Sequence, residues 1–237
     1  MYPKFSATFF LPAKRKFEYI CKLYIMKKIG LIFAMEKEIR LVEGRIPSDK
    51  VRCCLSGIGK VNAAVCAQKL IMEFHPHCVI SVGCAGSFSD KVEIGDIVVA
   101  EETAYHDFFC TGEPMGKVPA LPARFPSDSR LVSLAMKLLP HAHCGLICSG
   151  DQFYVSEAED RRQKELYADA LAVDMESAAI SQVCYLNNVA FLALRTISDV
   201  HTDGLQQQHY YDFWENGSQE PFRKISDIIN AILETID

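Results

Sequence analysis

Residues 191–200 read FLALRTISDV. With Val189 and Ala190 before it, the first half is an apolar run of strand length, and the second half carries Arg195, Ser198 and Asp199. In open α/β sheets the carboxyl ends of the strands form the crevice where ligands sit, so polar groups there are more often functional than those in mid-strand. An Arg–Asp pair that ties down a loop accounts for the same letters, because structural ion pairs also collect at strand ends. The stretch predicts a buried strand over 189–194 and leaves both readings of its polar end open.

Working outward, apolar runs of the same kind recur at 27–34, 51–55, 78–82, 96–100, 146–149 and 170–175. Helical patterns lie between and after them, at 59–74, 127–139, 157–167, 176–187 and 220–236. Strands alternating with helices imply an α/β sheet covered on both faces. Six of the runs lead into small or polar residues: AMEKE (34–38), SGIGK (56–60), GCAGS (83–87), SGDQF (149–153), MESAA (175–179) and RTISD (195–199). Six polar turns on one sheet edge predict one site.

Each turn also has a structural reading. SGIGK resembles a phosphate loop but lacks the GxxxxGK[ST] spacing, and a Gly-x-Gly before a helix is often only a tight turn. Gly83 and Gly86 allow close backbone approach. Glu36, Lys37 and Glu38 fit the exposed first turn of a helix, where acidic residues complement the dipole. Phe153 fits a core aromatic. The repeats HPHC (75–78) and HAHC (141–144) offer zinc-type donors. Both precede strands, however, which places them at the sheet edge opposite the crevice. Exposed turn residues account for them.

The chain has 237 residues, 49% of them hydrophobic, which suits one large domain with a sizeable core. A formal charge of −5 and a pI near 5.8 disfavour nucleic-acid or anionic-membrane partners, which call for a basic surface. A small-molecule partner follows. Ten cysteines lie mostly in apolar runs, with no CxxC pair, as free thiols of a reducing cytoplasm would. The first 25 residues lack the uninterrupted apolar core of a signal peptide. Residues 1–25 are therefore read as an N-terminal extension or a peripheral helix, and residues 26–237 as the single functional domain.

Taken in order, AMEKE, SGIGKVNAA, VGCAGSF, VEIGDIVVAEETAYHD, SGDQF, VDMESAAI and RTISDV resemble the 5′-methylthioadenosine/S-adenosylhomocysteine nucleosidases of the nucleoside phosphorylase superfamily. The likeness runs from about Lys27 to Val200, with a looser C-terminal helix. It implies a single α/β domain with a central mixed sheet flanked by helices, paired as a homodimer and needing no cofactor. The implied reaction is hydrolysis of the N-glycosidic bond of a 5′-modified adenosine, including 5′-deoxyadenosine, to adenine and a ribose derivative.

By the same resemblance, Asp199 is the acid that protonates adenine N7, with Ser198 orienting its carboxyl. Glu38 holds the water that attacks C1′. Glu176 accepts hydrogen bonds from the ribose hydroxyls and Met175 packs on the sugar. Phe153 stacks on adenine, the Tyr154 backbone reads the base edge and Ile58 lines the floor. Arg195 braces the loop and does not touch substrate. Cys84 stands where many relatives have Ser. The segment from Glu38 to Ser56 and the stretch 108–119 are shorter than the family pattern, which touches the pocket walls more than the chemistry. Nucleosidases for other nucleosides such as futalosine, purine nucleoside phosphorylases and a non-catalytic nucleoside sensor are the competing readings.

Overall fold

The computed structural model describes residues 28–46, 49–87, 89–153, 157–201 and 204–236. Eight strands form the sheet: β1 (Ile29–Phe33), β2 (Val51–Leu55), β3 (Cys78–Ser87), β4 (Ile97–Tyr105), β5 (Phe125–Pro126), β6 (His143–Ser149), β7 (Ala170–Asp174) and β8 (Ala190–Val200). The α-helices among the described residues are α1 (Glu36–Val42), α2 (Lys60–Phe74), α3 (Ser129–Leu138), α4 (Glu157–Leu166), α5 (Ser177–Asn187), α6 (Gln206–Asp212) and α7 (Gln219–Ile236). The predicted helices are all present. The short α6 and β5 carry no periodic pattern long enough to be read from sequence.

Alternation of side chains along the strands splits the interior into two layers. Ile29, Leu31 and Phe33 of β1, Ile80 and Val82 of β3, and Leu192 and Leu194 of β8 face one side, where α7 supplies Phe222, Ile225, Ile229 and Ile232. Ile32, Val79, Phe191 and Ala193 face the other, against Ala63, Ala67 and Leu70 of α2 and Ala178 and Ile180 of α5. The spacing of those α2 residues is that of one helical face. Gly30 is required beneath it, since a Cβ there would lie 2.5 Å from Leu70 Cδ2.

The sheet is mixed. β1 pairs in parallel with β2 and β3, β3 with β8, and β6 with β4 and β7. The β4–β8 and β4–β5 pairs are antiparallel. β7 then returns to β3 through a single antiparallel pairing, Gly86 with Val173. The circuit β3–β8–β4–β6–β7–β3 therefore closes on itself and gathers the far ends of β3, β7 and β8 in one place.

Two of the six polar segments differ from expectation. GCAGS and RTISD are not turns: β3 runs on to Ser87 and β8 to Val200. Their paired register explains the extension, because each supplies the other's hydrogen-bonding partner well past the apolar run. The HPHC and HAHC segments lie where β3 and β6 begin. His77 Nδ1 accepts the Lys28 N–H at 3.1 Å, and His143 Nε2 lies 3.1 Å from Asp96.

Candidate active site

The register of β3 against β8 shifts by one residue: Ala85 pairs with Ile197 and Gly86 with Asp199, leaving Ser198 as the extra residue. Such a bulge breaks the alternation of side chains and re-aims them. Ile197 stays in the core, while Ser198 and Asp199, though adjacent, both line the same cavity. Ser198 Oγ donates to Asp199 Oδ1 at 2.6 Å. Asp199 is 1% exposed, and among the described residues its Oδ2 has no hydrogen-bond partner, with His201 Nε2 3.3 Å away. The buried acid thus presents one anchored oxygen and one aimed into the cavity.

Glu38 arrives from the opposite side. Of the acidic residues in the first turn of α1, Glu36 points to solvent and pairs with Arg40 at 3.1 Å, while Glu38 is 1% exposed. The expectation of an exposed first turn holds for Glu36 and fails for Glu38. The Glu38 carboxylate turns back over the helix end: Oε2 accepts the N–H groups of Ala34 (3.0 Å) and Met35 (2.9 Å), and Oε1 accepts that of Cys84 (3.0 Å). Burial pushes its pKa upward, while these amides and the nearby Arg195 guanidinium hold it back.

The glycines of GCAG are the seats of both carboxylates. A Cβ on Gly83 would lie 2.8 Å from Glu38 Oε1, and one on Gly86 would lie 2.8 Å from Asp199 Oδ2. Two glycines on one strand thus set the separation of two acids that come from different elements. Gly83→Ala is expected to crowd the Glu38 carboxylate off the amides that hold it; an unmet buried donor costs about 1–3 kcal/mol, so the melting temperature should fall by several degrees, at about 2–4 °C per kcal/mol for a domain of this size. Turnover at the site should fall at least tenfold, since a displacement of about 1 Å in a site can carry a rate effect of that size. Unchanged turnover with a correctly folded variant would remove Gly83 from this role.

Glu176 comes from the turn between β7 and α5. Its Oε1 accepts the Gly59 N–H at 2.9 Å, a contact that depends on the φ of +97° at Gly59, a backbone region that glycine enters without strain. Burial raises the Glu176 pKa to about 7, and the negative charge of Asp174 adds to the effect. Met175 and Ile58 line the same cavity, Ile58 with half its surface exposed. Phe153 also lines it, is 50% exposed and meets the Tyr210 ring edge-on at 5.4 Å. It is a wall residue and not a core aromatic. Cys84 lines the floor, and burial drives its thiol pKa well up, the Glu38 and Asp199 charges adding to it. Tyr154 lies outside the described residues.

Sequence reasoning missed Asp174, the centre of the buried polar network under the site. Its Oδ2 accepts Arg195 Nε at 2.8 Å and the Ser177 hydroxyl, while Oδ1 accepts Ser149 Oγ at 2.5 Å. Arg195 also donates to Ser81 Oγ at 2.8 Å, so it does brace the frame, though across strands and not along a loop. The signal was present in ALAVD: a carboxylate ending an apolar strand, as in the stretch 191–199. His106, Gln163, Tyr210 and His201 also line the cavity, and the resemblance gives none of them a role. SGIGK is no phosphate loop, because Lys60 Nζ is held by both oxygens of Asp107, at 2.5 and 2.7 Å.

The cavity encloses about 780 Å³ counting its open mouth, within the range of small-molecule sites. Carboxylates and apolar groups line it, and its described lining contains neither Lys nor Arg. Among the described residues no group of three or more His, Cys, Asp or Glu is placed to hold a metal ion. No described helix is long and apolar enough to cross a membrane.

Fold and site define a member of the phosphorylase superfamily, whose family model matches residues 18–234. Within it, the 5′-methylthioadenosine/S-adenosylhomocysteine nucleosidase of Staphylococcus saprophyticus is 35% identical over 233 residues, covering 88% of this chain and 100% of the relative. That of Aeromonas salmonicida is 35% identical over 210 residues, covering 78% and 90%. The crystal structure of the Neisseria meningitidis nucleosidase in complex with methylthio-immucillin-A superposes with a TM-score of 0.80 at 32% identity, covering 86% of this chain and 99% of that one. The chain belongs to the 5′-methylthioadenosine/S-adenosylhomocysteine nucleosidase family.

Proposed function

We propose that the protein hydrolyses the N-glycosidic bond of 5′-methylthioadenosine and S-adenosylhomocysteine, and of 5′-deoxyadenosine, releasing adenine and the ribose derivative. The observation that carries this reading is the pair of buried carboxylates, Glu38 and Asp199, docked on two glycines of one strand within one cavity. The reaction passes through an oxocarbenium-like state, for which glycoside hydrolysis places one carboxyl on each face of the scissile bond. Asp199 donates a proton to N7, so that the purine leaves neutral. Glu38 takes the proton of the water that attacks C1′. Glu176 receives the ribose diol, Met175 packs on the sugar, Phe153 stacks on the base, the Tyr154 backbone reads the base edge, and Ile58 and Cys84 shape the floor.

Water, and not phosphate, is the nucleophile on this reading. A phosphate dianion at C1′ would face Glu38 with no Lys or Arg of the described lining to meet it. Two like unit charges about 4 Å apart cost about 4 kcal/mol at an effective dielectric near 20. The only arginine of α1, Arg40, is exposed in its pair with Glu36. The test is release of free base from methylthioadenosine, adenosylhomocysteine, 5′-deoxyadenosine, inosine and futalosine by dialysed enzyme, with and without phosphate. Phosphate-independent release from the first two carries the proposal. A phosphate requirement with a sugar 1-phosphate product, or preference for futalosine or inosine, would overturn it.

The Glu176 pKa of about 7 gives the reading a pH signature. Raised above the ordinary carboxylate value, this group keeps its proton on acidification below about 7 and is ionised above it. Only the ionised form accepts from both ribose hydroxyls. The Michaelis constant is therefore expected to rise as pH falls through about 7 and to level off above it; a constant that is flat from pH 5.5 to 8.5 would take the diol away from Glu176.

The same reading includes a homodimer in a reducing cytoplasm. Support for pairing comes from the outer face of α2, where Val61, Val65 and Met72 are 74%, 49% and 65% exposed beside Leu55 and Ile58, an apolar surface of the kind that marks an interface. A monomeric mass by light scattering would remove it. Support for the compartment comes from nine described cysteines, all free thiols; cell fractionation tests it. The functional body is taken as residues 26–237, and a chain started at Met26 that fails to fold would refute that boundary.

A further inference from the structure

The Asp199 carboxyl is 1% exposed and faces a cavity that a purine would fill. While the cavity is filled, a general acid in that position has no direct contact with solvent from which to recover a proton. His201 stands at the end of β8, two residues on. Its backbone N–H donates to Ser87 O at 2.8 Å, which fixes the chain there. Its Nε2 lies 3.3 Å from Asp199 Oδ2, the oxygen aimed into the cavity, and its side chain is 12% exposed against 1% for Asp199. Gly86 leaves the room between them, since a Cβ at that position would lie 2.8 Å from both Asp199 Oδ2 and His201 Nε2.

We propose that His201 supplies Asp199 with the proton it delivers to the purine. The inference rests on the nucleosidase reading. As the C1′–N9 bond breaks and its electron pair passes to the purine, Asp199 Oδ2–H gives its proton to N7 and receives one from the Nε2–H of the His201 imidazolium. The attacking water forms the new C1′–O bond and leaves its second proton on Glu38. Release of that proton to solvent and uptake of one by neutral His201 return the enzyme to its starting state, so protons balance over the cycle.

Histidine is suited to this because its ordinary titration spans pH 5 to 8. The other titratable groups around the cavity are Asp199, Glu38, Asp174, Glu176, His106, Tyr210 and Cys84, whose thiol burial drives far up. Glu38 must be ionised as the base and Glu176 as the diol acceptor, so their titration removes activity on acidification. Burial lowers the pKa of His106, which places its change on that same acidic side. Activity that falls as pH rises through the histidine range is then the signature of His201, which must carry its proton at the start of the cycle.

The experiment compares base release across pH for the unaltered enzyme, His201→Gln and His201→Ala, with Asp199→Asn as the reference and thermal melts alongside. Gln keeps a side-chain donor near Asp199 but does not titrate. The expected result is a loss of tenfold or more in turnover for His201→Gln at neutral pH, with the fall across the histidine range gone, and partial rescue of His201→Ala, but not of Asp199→Asn, by added imidazole. Folded His201→Gln with the parent's rate, or a slower variant that keeps the parent's alkaline limb, would overturn the proposal and leave a structural ion pair. An unaltered enzyme that releases no base would overturn the nucleosidase reading and this one with it, whereas an active parent with an indifferent His201→Gln removes His201 alone.

Discussion

Asp199→Asn is expected to lower turnover by about 10²–10⁴-fold, the usual contribution of general acid catalysis, with little change in binding. Asn is close in shape, and the local hydrogen bonds permit it. Its Oδ1 can go on accepting Ser198 Oγ–H, which now lies 2.6 Å from Asp199 Oδ1. Its Nδ2 then occupies the place of Oδ2, 3.3 Å from His201 Nε2, and can donate a hydrogen bond to purine N7. Adenine should therefore still bind. A hydrogen bond without proton transfer does not neutralise the leaving purine, so the rate collapses while recognition survives. Release within tenfold of the parent rate would sink the acid assignment, and loss of adenine binding would show that Asp199 does more than donate a proton.

Much of this site can be read from the sequence because strand ends converge in a sheet of this class, and six polar segments after apolar runs are hard to place anywhere else. What one chain read in a line cannot supply is whatever depends on two strands at once. The bulge that turns both Ser198 and Asp199 inward is a property of the β3–β8 register, and nothing in RTISD taken alone marks Ser198 as the extra residue. The closing contact of β7 on β3 is a single pair and leaves no periodic trace. Helix pattern likewise could not separate Glu36 from Glu38: both suit the first turn of α1, and the choice is made by Gly83, whose missing side chain opens room for one of them.

Asp174 was overlooked for a related reason. VDMES offers two carboxylates, and the resemblance assigns a role only to Glu176. The other is held by Arg195, Ser149 and Ser177 and fixes the turn from which Glu176 projects. Buried charge of this kind is tolerated only where it is paired and hydrogen-bonded. The guanidinium of Arg195 is thereby committed to the frame, which leaves the described lining without Lys or Arg. The absence of a phosphate-binding group from the described lining and the presence of a buried structural ion pair thus have one cause.

Glu38→Gln is the second substitution expected to abolish turnover, with a loss of at least 10²-fold, and its stability effect separates the chemistry from the fold. Two opposing terms act. The three amides of Ala34, Met35 and Cys84 all donate to the carboxylate. A Gln side chain turns its NH₂ toward at least one of them, and an unmet buried donor costs about 1–3 kcal/mol. Against this, burial raises the pKa of Glu38. A group whose folded pKa lies above its unfolded value stabilises the fold below the unfolded pKa and loses that contribution as pH rises through the folded one. At neutral pH and above, the ionised carboxylate is therefore a burden on the fold that Gln removes. The two terms offset, and the melting temperature should stay within about 5 °C of the parent, on the scale of 2–4 °C per kcal/mol for a domain of this size. Toward acid, where the parent's own carboxyl gains its proton, the burden disappears from the parent and Gln should fall behind. A folded variant with turnover within tenfold of the parent would mean that the attacking water is activated elsewhere and that Glu38 serves only to tie α1 to β3.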